Sequence, residues 1–209
     1  MSAVVPAHAG ADQTELPYVL RAAVKLGILE SAAILVIGLV SKFLDGILET
    51  ALLAVLVTVA VLAVTFLPGI WTRARSIEGI SGAAGIGLAA TVVFLFVDVC
   101  FFQPFGLYTH RWLDIGGGSN WWYHPVFWMV GTYLPWLGAW ILANQAAKGG
   151  TPSFAGASVM LVAATVVAMV VGVALHFPGA GWNVGTFGVA FLPGLALATV
   201  VSVLGARRK

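Results

Sequence analysis

Runs of apolar residues long enough to cross a bilayer recur six times in this chain, at about 18–41, 47–70, 79–103, 124–147, 154–176 and 184–205, each bounded by glycine, proline or charge. A hydrocarbon core of roughly 30 Å takes about 20 helical residues. A membrane-crossing β-strand would alternate apolar and polar residues over about ten positions, whereas these runs are apolar on every side. The expected fold is all-α, a polytopic bundle of six transmembrane helices. Composition agrees, with 60% of residues hydrophobic and 9% charged, where soluble domains carry roughly 25% charged residues. The chain divides into a polar N-terminal tail over 1–17 and one six-helix domain over 18–209. The opening segment MSAVVPAHAGADQTELP lacks the basic start and apolar run of a cleavable signal, so the first helix is expected to act as the insertion signal.

Orientation follows from lysine and arginine, which resist translocation while acidic residues count for little. Arg21, Lys25, Arg73, Arg75, Lys148, Arg207, Arg208 and Lys209 fall on the N-terminal side of an alternating six-helix path, and Lys42 and Arg111 on the other. Both termini are therefore expected to face the cytoplasm from a multi-pass position in the inner (plasma) membrane. The loop at about 104–123 then becomes the longest outer one. Outside the last three residues no cationic cluster occurs, which excludes nucleic acid as a partner. The expected partners are the lipid bilayer and other membrane subunits. The lone Cys100, flanked by apolar residues, is expected to be a buried packing residue.

The outer loop contains YTHRWLDIGGGSNWWYHP at 108–125. Trp112, Trp121, Trp122 and Tyr123 suit headgroup depth, where a ring can be buried and its polar edge stays wet. Gly116, Gly117 and Gly118 supply a hinge. Earlier, GISGAAGIG places Gly79, Ser81, Gly82, Gly85 and Gly87 at spacings that suit close helix contact. Pro135 and Pro193 are expected to kink the fourth and sixth helices and to free carbonyls there.

Ionisable groups at membrane depth are costly and mark functional positions. Glu30, about 18 Å of helical rise past Tyr18, and Asp98, roughly 28 Å past Gly79, are the candidates for proton or cation binding. Around Asp98 gather Gln103, His110, Asp114, His124 and His176, all placed at the outer side by the topology. Imidazole with carboxylate suits a transition metal, so His110, His124, His176, Asp98 and Asp114 form a candidate metal set. No compact ligand motif supports it, since His110 and His124 lie 14 residues apart. Trp128, Tyr133, Trp136 and Trp140 of the fourth helix form a candidate face for a flat hydrophobic cofactor such as a quinone or pigment. No nucleophile, base and orienter set can be assembled, which leaves open whether the chain is an enzyme. The leading functional expectation is a small integral-membrane subunit or accessory protein of a larger, redox or energy-transducing complex. The alternatives are a membrane metalloenzyme with an outer His/Asp site and a proton- or cation-coupled transporter.

Overall fold

A computed structural model of the chain describes residues 12–108 and 123–204, with the backbone alone at 123–126 and 184. Six helices form: α1 (Leu16–Phe43), α2 (Gly46–Trp71), α3 (Ile77–Val97), α4 (Tyr123–Ala147), α5 (Phe154–Ala174) and α6 (Val184–Val203). A π-helical turn, Asp98–Phe102, extends α3. No strand occurs among the described residues. Five of the helices, α1, α2, α3 with its π turn, α5 and α6, are long and apolar enough to cross a membrane. The fold is thus a helical membrane bundle. At 25 residues α4 has sufficient length, but Thr132, Tyr133, Pro135, Asn144 and Gln145 dilute its apolar character. Its position explains the difference, because α4 is the central helix and packs on α2, α3 and α6. A helix covered by protein on three sides has less need of an apolar surface for lipid.

Around α4 the remaining helices arrange themselves by close backbone contact. α1 lies along α3 and α2, while α5 packs chiefly on α6. Small residues set these approaches, as packing rather than hydrophobicity drives helix association in lipid. A Cβ on Gly87 of α3 would sit 2.2 Å from the Gly131 carbonyl oxygen of α4. Pro135 lacks the N–H that would bond that carbonyl, so the oxygen Pro135 frees is seated against a neighbouring glycine. Gly79 and Gly82 of the GISGAAGIG run meet Asp12 and Thr14, whereas Gly85 faces open space. The run is a contact surface, shared between α4 and the residues preceding α1.

Polar contacts fix which helix ends lie together. Gln13 N–H donates to the Thr72 carbonyl at 2.8 Å, and Tyr18 Oη to the Trp71 carbonyl at 2.9 Å. Asp12 accepts from the backbone N–H groups of Arg75, Ser76 and Gly79 at 3.1, 2.9 and 3.0 Å, and from the Ser76 hydroxyl. It therefore caps α3, satisfying N-terminal donors that the helix itself leaves unbonded. Asn144 Nδ2 donates to Ser202 Oγ at 2.8 Å, bringing the C-terminal ends of α4 and α6 together. Ala74 packs with Ala139 and Ala143, which joins the end of α2 to the end of α4. This end of the bundle holds Arg21, Lys25, Arg73, Arg75 and Lys148, with Lys25 Nζ 4.8 Å from the Trp71 ring centre. At the opposite end, Lys42 Nζ donates to the Gly106 carbonyl at 3.0 Å. Arg111, Arg207, Arg208 and Lys209 lie outside the described residues.

Cys100 departs from expectation, since it is exposed on the π turn. Its apolar flanks signal a surface turned toward acyl chains. In a membrane protein the exterior is as apolar as the interior, so apolar neighbours do not indicate protein burial.

Candidate functional site

A buried polar cluster is built on the π turn. Opening i→i+5 bonding at the end of α3 lets the Gln103 N–H bond the Asp98 carbonyl at 3.0 Å and the Leu107 N–H bond the Phe102 carbonyl at 3.0 Å. The extra residue re-aims the chain, a feature frequently found where a helix carries function. Asp98 is fully buried. Gln103 Nε2 donates to its Oδ2 at 2.6 Å, and the Tyr108 hydroxyl donates to its Oδ1. Charge-assisted bonds of this type are stronger than neutral ones, so Asp98 ties the helix end to the first residues of the long loop. The expected convergence of Asp98 and Gln103 is present. Tyr108, to which the sequence reading gave no role, is the partner that reading missed.

Of the proposed metal set, His110 and Asp114 lie outside the described residues, as does the His124 side chain. His176 is exposed in the turn after α5, with a positive φ of 54°. Among the described residues no group of three His, Cys, Asp or Glu side chains is placed to hold a metal ion.

Glu30 occupies the middle of α1, 14 residues from Leu16 and 13 from Phe43. Leu26 and Gly27, one turn earlier and on the same helix face, are buried against α3, where a Cβ on Gly27 would sit 2.7 Å from the Ala90 carbonyl oxygen. Glu30 itself is half-buried. It makes no hydrogen bond or ion pair among the described residues. The neighbouring Ser31 does not serve it, because its hydroxyl donates to the Gly27 carbonyl at 2.7 Å.

The four rings of α4 point to different neighbours. Trp128 and Trp136 are 50% and 42% exposed, respectively. Tyr133 Oη donates to the Leu192 carbonyl of α6 at 3.2 Å, one residue before Pro193. Trp140 packs on the Ala74, Ile80, Ala83, Ala139 and Ala143 cluster and meets Trp136 edge-to-face at 6.1 Å. Tyr133 and Trp140 thus serve helix packing, while Trp128 and Trp136 face outward.

A buried carboxylate hub at one end of an apolar helical bundle, with a second carboxyl at mid-helix, defines a polytopic membrane protein with polar groups held at depth. No family model, curated protein or solved structure matches the chain.

Proposed function

We propose that this chain is a small integral-membrane subunit or accessory protein of a larger membrane complex. Glu30 is the observation that carries this reading. A carboxyl at mid-membrane is expensive and is ordinarily paired, yet this one is half-covered by its own bundle and has no polar partner among the described residues. A donor or cation on a helix of another subunit completes it. Purified from its own membranes in mild detergent, the chain should migrate with other proteins. Glu30→Ala should weaken that association about three- to twenty-fold, the range of one interhelical polar contact. A wild-type chain recovered as a monodisperse monomer contradicts the proposal.

The same lone carboxyl favours a second reading, a proton- or cation-coupled transporter in which Glu30 receives the ion. In reconstituted vesicles, ion-coupled uptake that survives Glu30→Gln unchanged removes that reading.

In this proposal α4 also crosses the bilayer, giving six spans with both termini in the cytoplasm of a cell bounded by its inner membrane. Support comes from the grouping of Arg21, Lys25, Arg73, Arg75 and Lys148 at one end of the bundle, against Lys42 at the other. In a Cys100→Ser background, Lys148→Cys should react with a membrane-impermeant maleimide only after the cells are opened. Labelling of intact cells would invert the topology.

A further inference from the structure

The π turn has a second effect besides placing Asp98. It swings Phe101 and Phe105 toward the last turns of α1, where with Leu35, Leu39, Lys42 and Phe43 they line an open cleft of about 320 Å³. Leu107 closes its base, with side-chain atoms within 3.0 Å of the position a Cβ on Gly38 would occupy. Phe43, Phe101 and Phe105 are 72%, 49% and 79% exposed, so this apolar surface is covered by nothing in the chain's described residues. At its rim stands Lys42, the one described cation at this end of the bundle. One of its three N–H groups is spent on the Gly106 carbonyl. That bond holds the ammonium over the cleft and leaves two donors without a partner among the described residues.

Depth matches a lipid. α1 is 28 residues long, about 42 Å of helical rise, which carries its C-terminal end to the headgroup level of a bilayer roughly 40–45 Å thick. An ammonium at headgroup depth above an apolar groove is complementary to a phospholipid, with the anionic head on the lysine and one acyl chain below it. The nearest acid along the chain, Asp45, is not among the groups that line the cleft.

We propose that the cleft between the end of α1 and the π turn of α3 is a binding site for an anionic phospholipid, with Lys42 reading the headgroup charge. The site is independent of Glu30 and of the complex proposed above. Native mass spectrometry of the full chain, released from micelles doped equally with phosphatidylglycerol and phosphatidylcholine, tests it. The wild-type chain should retain phosphatidylglycerol about five-fold over phosphatidylcholine, the preference that one cation near an anionic head supplies. Lys42→Arg should keep that preference and Lys42→Ala should abolish it. In the wild-type chain, Leu39→Trp, which fills the groove, should reduce retention of both lipids. Equal retention of the two lipids by the wild-type chain overturns the proposal, as does an undiminished preference in Lys42→Ala. Retention unchanged by Leu39→Trp overturns the seat for the acyl chain.

Discussion

Gly138→Ala is expected to destabilise the bundle by more than about 3 kcal/mol, beyond the usual overpacking range, because the clash is with backbone. A Cβ at Gly138 would lie 2.0 Å from the Thr65 carbonyl oxygen and 2.7 Å from its carbonyl carbon. No side chain can rotate away from that contact; α2 and α4 must separate. Separation would also open the neighbouring approach, where a Cβ on Gly69 would lie 2.8 Å from Ala139 Cα. It would further loosen the core of Phe66, Leu137 and Ile141 around that crossing. Gly172→Ala provides the contrast, since nothing lies within 4 Å of its added methyl. That variant should be neutral or gain a few tenths of a kcal/mol from helix propensity. Thermal unfolding of the two variants in one detergent makes the comparison, and a Gly138→Ala midpoint equal to that of Gly172→Ala would refute the described α2–α4 crossing.

Asp98→Ala should be the next most damaging substitution, by about 2–4 kcal/mol, as it removes a fully buried acceptor shared by the part-buried donors of Gln103 and Tyr108. Tyr108→Phe should cost less, about 1–2 kcal/mol, because the carboxylate keeps the Gln103 bond. The difference between the two variants separates a hub from a simple pair. Local consequences should appear beside the π turn, where proteolysis of the 104–123 loop is expected to speed up in Asp98→Ala well before global unfolding. A digestion rate equal to wild type would show that Asp98 does not tie the loop to the helix end.

Helix number and position were legible because twenty-residue apolar runs have few alternative structures, and their predicted limits fall within about two residues of those of α1 to α6 when α3 is taken with its π turn. Which side of each helix turns inward was not legible. A soluble helix announces its core face by alternating polarity, but here Phe96 and Val92 are exposed while Phe94 and Leu95 are buried, all in one apolar run. The misplacement of Cys100 has that origin. Nor does the run of rings in α4 show that Tyr133 bonds α6 and Trp140 packs on the Ala74 cluster, while Trp128 and Trp136 remain 50% and 42% exposed. That Asp98 and Gln103 share one layer was legible from their place near a helix end, but their bond was not, because the π turn that governs it leaves no compositional trace. Asp12 was hidden inside a segment read as a polar tail. The signal that identifies it is the start of α3, whose own Ser76 provides no side-chain cap.

Unequal helix lengths have a consequence for the surrounding lipid. α1 and α2 contain 28 and 26 residues, α5 and α6 only 21 and 20. At about 1.5 Å per residue, one flank presents roughly 40 Å of helix and the opposite flank roughly 30 Å. A membrane of uniform thickness cannot match both, so α1 and α2 must tilt or the leaflets must thin toward α5 and α6. To the extent that α1 and α2 do not tilt, the bilayer must grade from thicker to thinner across the width of the chain.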